Sequence, residues 1–173
     1  MRNIVLTGYM ASGKTTVGRL LCQSLGYRFY DTDEMIENRE GVTINEIFQN
    51  YGELYFREKE NLISREFGTV SNSVISTGGG FVLNPENIEN LRKNSIVFNL
   101  NVSPEIIAAR YEEAKRTRPL MNSSDTQAVL KRYEDRKELY KNCDVQIDIY
   151  DNISPEEICD IIIEKYKMIN GGR

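Results

Sequence analysis

Gly8-Tyr9-Met10-Ala11-Ser12-Gly13-Lys14-Thr15 is the stretch from which the rest of the chain can be read. It follows the apolar run Ile4-Val5-Leu6 and precedes Val17, Leu20, Leu21 and Leu25, which recur at helical spacing. The pattern is G-x-x-x-x-G-K-[ST] between a predicted strand and a predicted helix, the context in which it cradles phosphate. Glycines let the backbone curl until its N–H groups face inward as an anion-binding nest. The following helix adds its free N–H groups and the positive end of its dipole. Lys14 can reach the β- and γ-phosphates as a point charge, and the Thr15 hydroxyl can ligate Mg²⁺. A nucleoside triphosphate is the ligand this predicts.

Outward from the loop, helical and strand patterns alternate. Arg28-Phe29-Tyr30-Asp31 reads as a strand ending in Asp31-Thr32-Asp33, and Glu34 begins a helix that Gly41 stops. Thr43-Ile44-Asn45-Glu46 has capping-box spacing and opens another helix. Tyr51 to Phe67 reads as a long helix. Val74-Ile75 reads as a strand running into Ser76-Thr77-Gly78-Gly79-Gly80. Asn84-Pro85 and Ser103-Pro104 each place a cap residue before a proline at the first helical position. Between those two starts, Ile96 to Leu100 reads as a buried strand. Residues 112–124 lose apolar periodicity and read as a mobile loop, Asp125 to Lys141 as a helix, Val145 to Ile149 as a strand, and Ser154-Pro155 as the start of a last helix.

About five strands, each followed by helix, imply an α/β chain with a parallel sheet and helices on both faces. Ligands in such folds sit beyond the carboxyl ends of the strands. Gly8–Thr15, Asp31–Asp33, Thr77–Gly80 and the segment after Ile149 should therefore converge on one sheet edge.

The 173 residues suit one domain. The formal net charge of −4 gives no basic field for nucleic acid, so a bound anion needs a local Lys/Arg cluster. No signal peptide and no membrane-spanning run are expected. Three cysteines, Cys22, Cys143 and Cys159, lack metal-ligand spacing and suit a reduced, cytoplasmic compartment. The absence of histidine excludes a His-based triad and a His-ligated zinc site, leaving acid–base work to carboxylates or Lys.

Several residues outside the loop suit chemistry, and each has a plainer structural alternative. Asp31-x-Asp33 after a strand could serve Mg²⁺ and an acceptor hydroxyl, or could cap a helix. Three glycines after a strand mean a close backbone approach, to a ligand or merely in a flexible turn. Arg57, Arg65, Arg110, Arg116, Arg118, Arg132 and Arg136 could pair with anions or simply be solvated. Arg118-Pro119 stands out because a lid closing on ATP needs a mobile cation. Phe48 and Phe56 fit either core or pocket wall.

Together these residues resemble the shikimate kinase family of small P-loop kinases, almost end to end. The resemblance rests on the loop followed by Thr16-Val17-Gly18, on Tyr30-Asp31-Thr32-Asp33 and on Phe56-Arg57-x-x-Glu60. It continues through Ser76-Thr77-Gly78-Gly79-Gly80, Arg118-Pro119-Leu120 and Arg136-x-x-Leu139-Tyr140. It implies a three-layer P-loop kinase fold with a five-stranded parallel sheet in the order 2-3-1-4-5. Residues 1–173 would form one domain, with a shikimate-binding region at about 32–60 and a lid at about 112–124. The implied reaction is Mg²⁺-assisted transfer of the ATP γ-phosphoryl group to the 3-hydroxyl of shikimate, by a monomer without nucleic-acid or membrane partners.

By position, Asp33, Lys14 and Arg118 would be catalytic. Ala11, Ser12, Gly13, Lys14, Thr15, Thr16 and Arg118 would hold the ATP phosphates, with Arg110 and Pro155 against adenine. Asp33, Arg57, Gly79, Gly80 and Arg136 would bind shikimate, Glu60 would orient Arg57, and Phe48 and Phe56 would wall the pocket. Thr15 and Asp31 would serve the metal. Ala11 departs from the family's usual glycine and must avoid positive φ or accept strain; Glu138 replaces a frequent proline, and the lid is unusually acidic. A related small-metabolite kinase, gluconate-kinase-like, and a nucleotide-binding regulatory module without transfer are the competing readings. Intact Asp31, Asp33 and Arg118 argue against the module.

Overall fold

Ile4, Val5 and Leu6 lie on β1 (Asn3–Thr7), the middle strand of a five-stranded parallel sheet, and none of the three is exposed to solvent. The computed structural model describes residues 1–117, 125–151 and 153–171, with the backbone alone for 114–117. β1 is flanked by β3 (Ser73–Ser76), with Ile4 opposite Val74, and by β4 (Ser95–Val102), with Ile4 opposite Ile96. β2 (Arg28–Asp31) and β5 (Val145–Ile149) form the edges, giving the order β2-β3-β1-β4-β5. Apolar runs sit in the middle because helices cover both faces there, while the edge strands carry exposed residues.

The helices form the outer layers. α1 (Lys14–Leu25) packs on α8 (Pro155–Gly171), and α4 (Gly52–Glu66) packs between α3 (Ile44–Asn50) and α5 (Pro85–Arg92). α2 (Thr32–Glu40) follows β2 without a break. The start signals in the sequence act as expected. Thr43 and Glu46 exchange both hydrogen bonds of a capping box, Asn84 caps α5 ahead of Pro85, and Ser154 pairs with Glu157 at α8.

Two boundaries differ from the sequence reading. α6 (Pro104–Thr117) continues through Glu112–Thr117, where a loop was expected. Glu112, Glu113, Ala114 and Lys115 are strong helix formers, and no breaker precedes Pro119, so lost amphipathicity did not mean lost helix. The remainder of the expected lid, with Arg118, lies outside the described residues. α7 (Thr126–Arg136) stops five residues short of Lys141, and a 3₁₀ turn at Leu139–Lys141 leads into β5.

Because all five strands run parallel, their carboxyl ends share one edge. That edge collects the phosphate loop after β1, Asp31 and Asp33 after β2, the glycine triplet after β3, and Pro155 after β5.

Candidate active site

The phosphate loop is shaped largely by its own atoms. Gly13 caps α1 at φ 93°, a left-handed conformation that a side chain would strain. Ala11 takes φ 59°, so the loop accepts the strain its missing glycine implies, of order 1–3 kcal/mol. The Ala11 carbonyl is held by Arg110, whose Nη1 donates to it at 2.9 Å. Lys14 is buried, and its Nζ donates to the Gly8 carbonyl at 2.7 Å, the Tyr9 carbonyl at 2.9 Å and Ser12 Oγ at 3.2 Å. Burial pulls its pKa down to about 8 against the opposing pull of Asp33 and Asp31. A phosphate reaching the loop would thus meet a dehydrated ammonium already centred over it.

Asp31 does two jobs. Its Oδ1 accepts the Asp33 N–H at 3.1 Å and caps α2, and its Oδ2 accepts from the Thr15 hydroxyl at 3.2 Å. The capping reading is met by Oδ1, which leaves Oδ2 facing the Thr15 hydroxyl. A hydroxyl and a carboxylate at an exposed mouth beside the phosphate loop are hard oxygen donors. That set suits a divalent cation that takes its other ligands from water and phosphate.

The second half of the site is a cavity of about 260 Å³ next to the loop. Asp33, Phe48, Phe56, Arg57, Glu60, Gly79, Gly80 and Arg136, all expected from the sequence, line it. Tyr9, Met10, Ile44, Gly78 and Arg132 also line it. Phe48 and Phe56 meet at 5.1 Å between ring centroids, and as wall residues they leave one side of the cavity apolar.

The glycine triplet is a set of clearances. A Cβ on Gly78 would collide with the Asp33 carboxylate, and one on Gly80 would collide with the Arg57 guanidinium. The Gly78 N–H donates to Thr32 Oγ1 at 3.0 Å, and the Tyr140 hydroxyl donates to the Gly79 carbonyl. The turn is therefore fixed rather than flexible.

Charge in this cavity is concentrated and poorly hydrated. Arg57 donates through Nη1 to Glu60 at 2.7 Å, and through Nε and Nη2 to Glu53 at 3.1 and 2.7 Å. Glu60 is fully buried, and its Oε1 has no partner among the described residues; nor has Asp33 Oδ1. Burial, reinforced by Asp31, pushes Asp33 up to about 6 although Lys14 opposes it. Burial likewise pushes Glu60 up to about 7, against the neighbouring Arg57. Such perturbed carboxylates in a cleft mark reactive sites, because one of them can hold or take a proton near neutrality.

Some contributors escaped the sequence reading. Glu53 was signalled by its i,i+4 spacing from Arg57. Thr32, Tyr9 and Tyr140 act through contacts between distant segments, which local sequence does not announce. Thr16 is exposed on the first turn of α1, and Pro155 opens α8 at the same sheet edge.

Comparison with known proteins agrees with this geometry. The shikimate kinase family model matches residues 10–167. A shikimate kinase of Caldanaerobacter subterraneus subsp. tengcongensis is 40% identical over 172 residues, covering 99% of each chain. The crystal structure of shikimate kinase from Bacteroides thetaiotaomicron superposes with a TM-score of 0.84 at 31% identity, covering 96% of this chain and 98% of that one. Shikimate kinase from Acinetobacter baumannii, solved in complex with shikimate, gives a TM-score of 0.81 at 30% identity, covering 100% and 95%. A phosphate loop and an adjoining arginine-lined cavity on one sheet edge, with these matches, lead to one conclusion: the chain belongs to the shikimate kinase family.

Proposed function

We propose that this enzyme transfers the γ-phosphoryl group of ATP to the 3-hydroxyl of shikimate, giving shikimate 3-phosphate and ADP for aromatic amino-acid synthesis. The observation that carries this is the Asp33 carboxylate, set in the cavity between the phosphate loop and two arginines. Asp33 accepts a hydrogen bond from the acceptor hydroxyl and aims its oxygen at the γ-phosphorus. As the new P–O bond forms and the bond to the bridging oxygen breaks, ADP leaves and the hydroxyl proton passes to Asp33. A carboxylate whose pKa lies near 6 suits that role at neutral pH.

Arg57 and Arg136 pair with the acceptor carboxylate, to which planar guanidinium forks are matched. Glu60 and Glu53 hold Arg57 in place. The backbone of Gly79 and Gly80 faces the ring hydroxyls, while Phe48 and Phe56 cover its apolar edge. Lys14 neutralises charge on the transferring phosphoryl group, together with Arg118 from the lid. Ala11, Ser12, Gly13, Thr15 and Thr16 complete the phosphate site, and Arg110 with Pro155 flanks adenine. Thr15 and Asp31 would hold Mg²⁺, which would offset the charge of the phosphates. The single domain is proposed to work as a cytoplasmic monomer, and its three free cysteines support a reduced compartment.

A coupled ADP-release assay over shikimate, quinate, gluconate and nucleoside monophosphates, with products identified by mass, tests this. Shikimate-dependent release with a product heavier by one phosphoryl group is expected. Release independent of any acceptor, or preferred turnover of another acceptor, would overturn it.

A further inference from the structure

The cavity lining contains two carboxylates, Asp33 and Glu60, and three guanidinium groups, those of Arg57, Arg132 and Arg136. Arg57 gives three of its five N–H donors, one from each nitrogen, to Glu53 and Glu60. Arg132 and Arg136 are the two guanidinium groups that α7 brings to this lining.

Their placement is fixed by packing. The Tyr9 hydroxyl donates to the Val129 carbonyl at 2.8 Å, and the Tyr9 ring meets Tyr133 edge-on at 5.5 Å. Val129 and Tyr133 are buried, so α7 is pinned against the phosphate loop along one stripe. Arg132 and Arg136 follow Val129 by three and seven residues, which places both at the border of that stripe, one turn apart. Both line the cavity that Asp33 also lines.

We infer that Arg132 is a substrate-contacting residue that holds the acceptor carboxylate together with Arg136 and sets the enzyme's preference for anionic acceptors. This rests on the acceptor reading above. An exposed arginine on a helix ordinarily contributes little, because water screens it. Arg132 differs in having a second guanidinium one turn away and a cavity that both line. Two forks on one helix face can share a carboxylate with Arg57, which its own carboxylates hold in place.

The test uses the full chain with Arg132→Ala, Arg132→Lys and Arg136→Ala, assayed on shikimate and on its neutral carboxamide. Arg132→Ala should raise the shikimate KM about fivefold to tenfold, the loss of one partly exposed charge-assisted contact. Its kcat and ATP KM should stay within about twofold of wild type, and its preference for shikimate over the carboxamide should fall by the same factor as the KM rises. Arg132→Lys should recover part of that preference, which a purely structural role would not predict. An unchanged KM and preference in Arg132→Ala, with Arg136→Ala impaired, would overturn the role of Arg132 and leave the acceptor reading standing. If Arg136→Ala is silent too and wild type shows no preference for the carboxylate, the acceptor reading falls and this assignment with it.

Discussion

Within the phosphate loop, Lys14 finds its partners two to six residues away, at Gly8, Tyr9 and Ser12. The acceptor cavity instead draws Asp33, Arg57, Gly78 and Arg136 from four separated segments. The donor half is a local backbone shape with one dehydrated cation. The acceptor half is a convergence of side chains that leaves two buried carboxylate oxygens, on Asp33 and Glu60, without partners among the described residues. A nest of N–H groups suits any triphosphate, so it needs little beyond its own residues. Recognising one small acid requires charges held in place against the cost of burying them, and distant elements bear that cost.

If the halves divide the work in this way, their variants should fail differently. The largest effect is expected from Asp33→Asn, which should lower kcat by about 10²–10⁴-fold while leaving the ATP KM nearly unchanged. Near-normal turnover would remove Asp33 as proton acceptor. Arg136→Ala should come next, raising the shikimate KM by about tenfold to a hundredfold with much less effect on ATP. If ATP binding suffers more, Arg136 belongs to the donor half and the division fails.

A third prediction concerns stability, because the two halves differ in buried charge. Asp33 titrates at about 6 in the fold, against about 3.9 when unfolded. Between those values the folded chain binds more protons than the unfolded one, so this group's contribution to stability falls as pH rises from about 4 to about 6. Asp33→Asn should therefore be more stable than wild type at neutral pH by about 1–2 kcal/mol in urea titrations, with the difference vanishing near pH 4. A variant of equal or lower stability at neutral pH would mean that Asp33 is not held at a cost. The smallest effect should come from the loop. Ala11→Gly relieves the left-handed φ and should stabilise the ligand-free fold by only about 0.5–1 kcal/mol, part of the gain being lost to unfolded-state entropy.

The same contrast explains what could be read from the sequence. Gly8 to Thr15 is contiguous, and the apolar runs of β1, β3 and β4 announce a sheet buried on both faces, so donor site and fold class were legible. Asp33, Arg57 and Arg136 were visible as residue types, but their convergence came from family resemblance rather than from spacing. The cap reading of Asp31 holds on one oxygen only, because a carboxylate has two and the other meets the Thr15 hydroxyl. The loop expected from Glu112 failed because a polar helix shows no apolar stripe even where propensity is high. Thr32, Tyr9 and Tyr140 stand in the motifs, but their contacts were illegible because each reaches backbone tens of residues away or more.

The hydrogen bond from Tyr9 to Val129 spans 120 positions in the chain. It joins the loop that receives the donor to the helix that carries Arg136. That bond gives the loop and the helix one shared contact, so a ligand that displaced either would load it. Thermodynamic reciprocity then requires each ligand to change the other's dissociation constant by the same factor. The two halves are built by different means, and one phenol is a contact through which any coupling between them would have to be equal in both directions.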